Sequence, residues 1–438
     1  TVSLPFRKGG GKLGNSRVMA MKRLVSLEKK FERDLQLRTR YENFLNEFIV
    51  MQHLELIPES EIELPDDQCY YLPHHYVEKE STTTKLRVVF DASAKTTTGN
   101  SLNDLLLVGP KQQNDLFDHL LRFRFHKYAV CGDLAKMYRQ VALHPPDKEY
   151  HRILWRGKDG IVQVYRMTRV AYGIASASYH AIRALQQAAK DAPEEVARAI
   201  LRDFYVDDLM SGQTVRENAK MLIKALQEHL EKYQMPIRKW ASNEASLIAE
   251  LPEDLRQDEK AFNVCDSDHS IKMLGICWNC IGDFFLYLVS HVSSGHSTEL
   301  VVGNLLTKRQ MLSDIAKVFD PVGWLITVTS KHKLMMQSVW LQGLERDAAL
   351  PQDISQAFLT WRGQLTDLRE VKITRLVCSD FTSTTNQLHV FCDASQTSYA
   401  ACIYLRTVSK GNGQVTVSLL TAKSKVAPIK QLTMPRLE

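Results

Sequence analysis

Two adjacent aspartates, Asp207 and Asp208, stand inside the largely apolar run from Ala199 to Met210. Two carboxylates side by side repel each other and lose hydration, so a fold keeps them mainly where a cation supplies the missing charge. The apolar residues on both sides of the pair predict two strands, and Ser211-Gly212 ends the run. The sequence therefore predicts a hairpin that presents both acids at its tip, with a divalent metal ion as their partner.

A third acid is expected from a distant part of the chain. Two metal ions that lie about 3.5–4 Å apart during nucleotidyl transfer need carboxylates from separate segments. Asp133 is the best candidate, because it ends the apolar stretch 128–132, which predicts a buried strand. The alternative for Asp133 is an ordinary acid at a strand end. The sequence contains no glycine-rich loop of the P-loop or dinucleotide type, so metal and basic side chains would have to bind nucleotide phosphates.

Composition indicates a folded protein with several cores. The chain has 438 residues, of which 44% are hydrophobic, and a formal net charge of +6. Residues 1–40 contain eleven Lys and Arg against three acids, an excess that suits binding to a phosphate backbone. The eight cysteines follow no disulfide pattern, and neither a secretory leader nor an apolar stretch of roughly 18 residues is present. These features predict an intracellular, cytoplasmic protein without a membrane span.

A zinc site is a weaker alternative elsewhere in the chain. Cys265, His269, Cys277 and Cys280 could be written as a zinc pattern. The segment 271–278, however, is more simply a strand with buried thiols. We therefore expect no zinc there.

Several elements must position the acids. Apolar spacing predicts one or two surface helices over 26–51, and Gly157-Lys158-Asp159-Gly160 predicts a hairpin over 152–170. Thr214 and Glu217 predict a capping box for a helix that ends before Pro236. Further helices are expected over 176–189, 305–312 and 325–340, and further strands over 69–77, 389–395, 399–405 and 415–420. This order of strands and helices predicts an antiparallel sheet covered by helices on one side.

The chain resembles the reverse transcriptase family, and most of all the Pao/BEL group of long-terminal-repeat retrotransposon polyproteins. The resemblance is carried, beside Tyr205-Val206-Asp207-Asp208, by these segments: Leu86-Arg87-Val88-Val89-Phe90-Asp91-Ala92-Ser93-Ala94, Ser101-Leu102-Asn103-Asp104, Gly132-Asp133-Leu134, Ala171-Tyr172-Gly173, Arg238-Lys239-Trp240-Ala241-Ser242-Asn243 and Phe319-Asp320-Pro321-Val322-Gly323.

The resemblance implies an α+β right-hand polymerase with fingers, palm and thumb, an antiparallel palm sheet, a connection and a truncated ribonuclease H-like domain. We expect a basic helical lead-in over 1–65, fingers and palm over 66–290, thumb and connection helices over 291–385, and a partial ribonuclease H-like domain over 386–438. Both chain ends have the character of a fragment from a polyprotein.

The implied activity is RNA-directed DNA polymerization with two Mg²⁺ ions, or Mn²⁺ as an alternative. The implied partners are an RNA template, a DNA primer or RNA-DNA hybrid, and dNTPs, in a virus-like particle; the oligomeric state stays open. The competing hypothesis is a catalytically inactive, nucleic-acid-binding remnant of a transposon polyprotein. An RNA-dependent RNA polymerase is a third possibility, but Tyr138 disagrees with it.

The resemblance also implies a role for individual residues. Asp133 and Asp207 would bridge both ions, and Asp208 would complete the triad with a weaker metal contact. Tyr138 would lie beneath the sugar and exclude a 2′ hydroxyl, which favours deoxynucleotides.

Four more residues are implied in nucleotide binding. Arg87 would reach the triphosphate, with Lys79 or Lys85 as an unassigned companion. Gly173 would let base and template approach the backbone, while Tyr172 departs from the glutamine or phenylalanine common at that position. Lys239 resembles a palm lysine near the triphosphate.

The ribonuclease H-like segment would contribute two of four metal ligands. Asp393 ends an apolar strand, and Glu438 opens a predicted helix. The other two acids of the pattern lie beyond the sequence given. We therefore expect no competent ribonuclease H activity from these residues.

Overall fold

A computed structural model describes residues 1–78, 86–157, 159–257, 270–287 and 306–430. Its helices are α1 Arg17–Arg33, α2 Leu35–Val50, α3 Glu59–Ile62, α4 Leu102–Leu105, α5 Leu116–Phe123, α6 Ala177–Ala188, α7 Glu194–Arg202, α8 Arg216–Glu231, α9 Lys308–Ile315, α10 Ile326–Leu341 and α11 Gln352–Gln364. Its strands are β1 Leu54–Leu56, β2 His74–Glu78, β3 Leu86–Phe90, β4 Tyr128–Leu134, β5 Arg152–Arg156, β6 Val162–Met167, β7 Phe204–Tyr205, β8 Asp208–Gln213, β9 Ile237–Ser242, β10 Ser270–Met273, β11 Ile276–Asn279, β12 Phe284–Leu286, β13 Ile373–Thr374, β14 Thr384–Ala394, β15 Ser398–Ser409 and β16 Val415–Val426.

The described residues form two compact units. The first unit comprises 1–113, 134–207 and 225–237, and the second comprises 114–133, 208–224 and the described residues from 238 onward. Both units combine helices with antiparallel sheets, so the predicted α+β class is confirmed.

In the first unit, helices α1 and α2 pack an apolar face inward. Leu24 and Phe31 of α1 and Tyr41 of α2 are buried, and the rings of Phe31 and Tyr41 are 5.2 Å apart. The Asp34 side chain accepts a hydrogen bond from the Leu37 amide and so begins α2. The two predicted helices are therefore present, but they contribute to the core of this unit.

The sheets of the first unit are small and antiparallel. Strands β1, β6 and β5 lie in that order, and β2 pairs with β3. The hairpin predicted over 152–170 is confirmed, because β5 and β6 pair from Arg152 opposite Arg166 to Arg156 opposite Val162. Helix α6 agrees with the helix predicted over 176–189.

One predicted strand before the acidic pair is wrong. Residues 199–201 belong to helix α7, whose buried residues Val196, Ala199 and Ile200 recur at helical spacing. Pro193 precedes the helix and Glu194 and Glu195 occupy its first turn, which are helix-start signals. Only β7 remains extended before the acids. The strand predicted over 69–77 begins only at His74.

In the second unit, strands β8, β4 and β9 lie side by side in that order. The buried strand predicted over 128–132 is confirmed and extends to Leu134. Ala129 and Cys131 of β4 and Met210 of β8 pack into the largest core of this unit, together with Trp278, Phe285 and Phe358. Val130 and Leu209, which project from the other face, are buried as well, so both faces of this sheet are covered.

The described residues from 270 onward form two more sheets and contain helices α9, α10 and α11. Strands β10, β11, β12 and β13 form an antiparallel sheet, and β14, β15 and β16 form a meander. The single strand predicted over 271–278 is instead a hairpin that turns at Leu274-Gly275. Cys277 and Cys280 are buried, whereas Cys265 and His269 of the possible zinc pattern lie outside the described residues. Helices α9 and α10 overlap the two helices predicted here.

Helix length and hydropathy bear on the membrane prediction. Across the ranges that the structure describes, no helix combines the length and apolarity needed to cross a bilayer.

Candidate active site

Asp133 and Asp208 stand directly opposite each other in the antiparallel pair of β4 and β8. Directly opposed residues project from the same face of a sheet, with Cβ atoms about 4.5–5.5 Å apart. Burial, and next the charge of Asp208, raise the pKa of the Cys131 thiol, which lies two residues before Asp133 on that face. The sheet therefore brings two of the three predicted acids together.

Lys239 supplies a positive charge to this pair of acids. Its ammonium Nζ donates to Asp133 Oδ2 at 2.7 Å, and both side chains are partly exposed. Lys239 lies in β9 with a φ of 55°. A left-handed conformation is uncommon for a residue other than glycine and often marks a functional position. Lys239 therefore lies at the acidic pair, and its predicted role near the triphosphate stays a prediction.

Asp207 lies at the turn that precedes β8. Val206 before it has a φ of 58°, an outlier for a β-branched residue. The Val206 amide donates to Gln113 Oε1 at 3.0 Å, and the Asp207 carbonyl accepts from the Leu134 amide at 2.8 Å. These hydrogen bonds fix the backbone of the turn, one residue earlier than the two-aspartate turn predicted from sequence.

The three acids have the donor chemistry of a magnesium site. Carboxylate oxygens are the ligands that Mg²⁺ takes, and a divalent ion would relieve the repulsion between Asp133 and Asp208. Among residues whose placement is described, however, no group of three or more His, Cys, Asp or Glu side chains is arranged to hold a metal ion. The triad therefore stays a prediction, with Asp133 at present paired to Lys239.

Tyr138 lies on the short 3₁₀ helix Met137–Gln140 that follows β4. Its hydroxyl is 3.1 Å from the hydroxyl of Ser178 on α6, and its side chain is partly exposed. An accessible ring on a short turn is compatible with contact to a nucleotide sugar. The predicted exclusion of a 2′ hydroxyl stays a prediction.

Tyr172 and Gly173 are held against strand β3. The Tyr172 hydroxyl donates to the Val88 carbonyl at 2.7 Å, and burial raises the pKa of this phenol to about 12. Gly173 has a φ of 100°, and a Cβ there would lie 2.2 Å from the Phe90 carbonyl oxygen. The glycine is therefore required by the close approach of protein backbone; the predicted approach of a nucleotide to it stays a prediction.

Arg87 is an exposed residue of β3 between the buried Leu86 and Val88. Its positive charge is close enough to Tyr172 to act on the pKa of the phenol, although less than burial and Arg139 do. Its role in triphosphate binding stays a prediction. The possible companions Lys79 and Lys85 lie outside the described residues.

Sequence reasoning gave no role to Asn103, which positions the loop around Gly173. Its side-chain amide donates to the Gly173 carbonyl at 2.9 Å and to Ser93 Oγ at 2.9 Å, and its Oδ1 accepts from the Ala175 amide at 2.8 Å. The segment Ser101-Leu102-Asn103-Asp104 was noticed only as a motif. A polar residue inside that motif was the one available signal.

The two residues predicted for the ribonuclease H-like site have different outcomes. Asp393 is the penultimate residue of β14, and its Oδ1 accepts a hydrogen bond from the Ala394 amide. Glu438 lies outside the described residues. Metal binding by these acids, and the expected lack of ribonuclease H activity, stay predictions.

Comparison with protein families and solved structures agrees with the resemblance. Residues 307–438 match the model of the Pao retrotransposon-like RNaseH-like domain. This match begins inside the segment 291–385 that was predicted as thumb and connection, and the four predicted domain boundaries stay predictions. No curated protein matches the sequence.

Three similar solved structures are of foamy viral protease-reverse transcriptase, at 14–15% sequence identity. The dRH form in complex with dsDNA has a TM-score of 0.52 and covers 86% of this chain and 54% of that chain. A second complex with dsDNA has a TM-score of 0.56 and coverages of 91% and 68%. The complex with an RNA/DNA hybrid has a TM-score of 0.52 and coverages of 90% and 44%.

The chain thus spans about half the length of the first of these structures. Identity at this level establishes the fold. The predicted right-hand polymerase fold, and the resemblance to reverse transcriptases and Pao retrotransposons, are confirmed. Residues 307–438 are thus similar to the Pao retrotransposon-like RNaseH-like domain, and the fold of the chain resembles that of foamy viral protease-reverse transcriptase.

Proposed function

We propose that this chain is an RNA-directed DNA polymerase of a retrotransposon, which adds dNTPs to the 3′ end of a primer on an RNA template. The observation that carries the proposal is the direct opposition of Asp133 and Asp208 in neighbouring strands, with Asp207 in the turn beside them. Two acids of like charge in directly opposed positions destabilise a sheet, so a fold that keeps them has another use for them.

The three aspartates would hold two Mg²⁺ ions, or Mn²⁺. Such ions would activate the primer hydroxyl and stabilise the leaving pyrophosphate. Asp208 projects from the same face as Asp133, and the hydrogen-bonded backbone of Val206 and Asp207 limits where the third carboxylate can go.

By resemblance, Tyr138 would contact the nucleotide sugar, Arg87 the triphosphate, and Tyr172 and Gly173 the base pair. A bound metal ion would displace Lys239 from Asp133, and the ammonium would then be available to phosphate. The foamy viral structures are complexes with dsDNA and with an RNA/DNA hybrid, which supports nucleic acid as a partner here.

Primer extension on an RNA template with dNTPs tests the proposal. We expect incorporation by the unaltered chain and its loss in Asp207→Asn, which removes one carboxylate charge at nearly constant shape. Asp254→Asn is the matched control, because Asp254 is exposed on a short 3₁₀ helix and should leave incorporation unchanged. Equal incorporation by Asp207→Asn and the control would contradict the proposal.

A second candidate function is a nucleic-acid-binding remnant without polymerase activity. The observation that favours it is the ion pair between Lys239 and Asp133, together with the absence of a metal-holding group of three acids from the described part of the chain. Tight binding of template and primer, with no nucleotide incorporation in the presence of either Mg²⁺ or Mn²⁺, would support this second function.

A further inference from the structure

The turn that bears Tyr138 depends on contacts from outside itself. The 3₁₀ helix Met137–Gln140 has only four residues, and Lys136 before it has a φ of 57°. Short 3₁₀ segments have poor hydrogen-bond geometry, and a left-handed non-glycine residue is disfavoured. Neighbouring side chains must therefore stabilise this conformation.

Both basic residues that flank Tyr138 contact the same carboxylate. Lys136 Nζ donates to Glu47 Oε1 on α2, and both terminal nitrogens of Arg139 lie 3.3 Å from that oxygen. Burial raises the pKa of Glu47, but hydrogen bonding from Lys136 and the charges of Arg139 and Lys136 exceed that effect and lower it. Glu47 is thus an ionised acceptor shared by the two ends of the turn.

Arg139 has further partners that restrict its position. Its guanidinium carbon lies 3.9 Å from the centre of the Phe48 ring, and its Nε donates to His53 Nδ1 at 3.2 Å. Only 11% of the Arg139 side chain is exposed. Burial, and then the charge of Arg139, lower the pKa of His53 to about 4, so its ring is neutral and can accept that hydrogen bond.

Tyr138 itself contacts a different helix, because its hydroxyl lies 3.1 Å from the Ser178 hydroxyl on α6. The turn therefore has one partner set on α2 and another on α6. Loss of the α2 contacts would relax the turn and let the Tyr138 ring shift, even with the contact to Ser178 retained.

We propose that Glu47, acting through Lys136 and Arg139, is a positioning residue that sets the sugar selectivity of this chain. By fixing the turn 136–140 from α2, it holds the Tyr138 ring where a ribose 2′ hydroxyl would collide with it. The proposal rests on the proposed polymerase function, and it gives helix α2, expected from sequence to be part of a lead-in, a share in nucleotide choice.

Single-nucleotide incorporation with dNTPs and rNTPs tests this role. We expect Glu47→Gln to lower the ratio of kcat/KM for dNTP over rNTP by about tenfold, within the range of coupling seen between contacting residues. Glu42→Gln is the matched control, because Glu42 is on the same helix and pairs with Arg38 without contacting the turn. Tyr138→Ala should lower the ratio further.

A double variant separates positioning from general destabilisation. If Glu47 acts through Tyr138, Glu47→Gln should add nothing to the selectivity loss of Tyr138→Ala. An additive loss, an unchanged ratio in Glu47→Gln, or an equal change in Glu42→Gln would overturn the proposal.

Hydrogen exchange distinguishes this proposal from the proposed function. Amides of 136–140 should exchange faster in Glu47→Gln than in Glu42→Gln, and equal exchange would overturn the positioning role. If the unaltered chain incorporates neither kind of nucleotide under any metal condition, the proposed function fails and sugar selection fails with it. If the unaltered chain incorporates dNTPs but Glu47→Gln keeps full selectivity, only the present inference fails.

Discussion

The Lys239 ammonium contacts the Asp133 carboxylate across β9 and β4, with Nζ 2.7 Å from Oδ2. Asp133 in turn faces Asp208, so one lysine offsets part of the charge of two acids. A divalent ion at the same place would offer more charge and a fixed set of coordination positions. Lysine and metal are therefore expected to compete for Asp133.

Lys239→Met should make the thermal stability of the folded chain more dependent on divalent ions. Without the ammonium, the repulsion between Asp133 and Asp208 is less compensated, so Mg²⁺ should raise the melting temperature more in the variant than in the unaltered chain. Thermal unfolding with and without Mg²⁺ measures this difference. Lys220→Met is a control, because Lys220 pairs with Glu250 away from the acids. If Mg²⁺ raises the melting temperature equally in all three proteins, Lys239 and the metal ion do not compete for Asp133.

Asp208→Asn should stabilise the metal-free chain while it abolishes incorporation. Like charges directly opposed in an antiparallel pair cost roughly 0.2–1 kcal/mol, and the amide removes one of them without changing the shape. Urea unfolding in the presence of a chelator measures the free energy of unfolding. A clear decrease in stability would mean that the Asp208 carboxylate has a structural role.

Gly173→Ala should destabilise the first unit by about 3 kcal/mol or more, because it combines an unfavourable positive φ with a collision. The added Cβ would lie 2.2 Å from the Phe90 carbonyl oxygen. Gly99→Ala is the matched control: its φ is 83° and no heavy atom lies within 4 Å of the new Cβ. We expect Gly99→Ala to lower the free energy of unfolding by only about 1 kcal/mol. Denaturant unfolding of both variants measures the difference, and equal losses would contradict the collision.

Arg375→Met should be strongly destabilising in the second unit. The Arg375 side chain is fully buried and contacts both oxygens of Asp283 at 2.5 and 2.7 Å, and it donates to the carbonyls of Phe123 and His126. Its loss leaves a carboxylate uncompensated, which typically costs about 3–5 kcal/mol.

The exposed pair of Arg309 and Asp347 gives the control for Arg375. Arg309→Met should cost no more than about 1 kcal/mol, because exposed pairs are weak. Chemical unfolding of both variants measures the difference. Similar losses would show that burial does not determine the strength of these contacts.

Stability should fall as the pH drops from 6.5 toward 4. Burial lowers the pKa of His74 to about 4, although the hydrogen bond from its Nε2 to the Leu154 carbonyl opposes this shift. Its Nδ1 accepts from the Tyr41 hydroxyl. The unfolded chain therefore binds the proton at higher pH than the folded chain. The contribution of neutral His74 to the free energy of unfolding is complete above pH 6.5 and is lost as the pH falls from 6.5 to 4. For a wholly buried histidine it is on the order of 3 kcal/mol.

The pH dependence of unfolding in His74→Gln tests this assignment. Between pH 6.5 and 4 the variant should lose less stability than the unaltered chain. His389→Gln, which alters an exposed histidine of β14, serves as the control. An unchanged slope in His74→Gln would exclude His74 as a source of acid sensitivity.

Local patterns predicted three elements: β4 from a continuous apolar stretch, the hairpin of β5 and β6 from its glycine-containing turn, and helix α6. The same approach failed at 199–201, because Ala199 and Ile200 belong to the buried face of helix α7 and also stand in a run of apolar residues that suits a strand. Pro193 before the helix and the two glutamates in its first turn favour the helix over the strand.

Long-range contacts could not be predicted from the sequence. Glu47 and Arg139 are 92 residues apart, and nothing in either segment alone indicates that they meet. The Phe90 carbonyl that makes Gly173 necessary is likewise distant in the chain. The acids were found because adjacent carboxylates are conspicuous locally, whereas Lys239 was assigned by resemblance and its contact to Asp133 required coordinates.

Arg124 and Arg375 have a practical consequence for cutting the chain. Arg124 donates to the carbonyls of Leu419 and Thr374, and Arg375 forms an ion pair with Asp283. A recombinant fragment that begins at residue 307, where the family match begins, would retain Arg375 but lose that carboxylate and the donors of Arg124. A recombinant C-terminal region should therefore include 114–133 and 270–287. Without them, the buried guanidinium of Arg375 has lost its acidic partner.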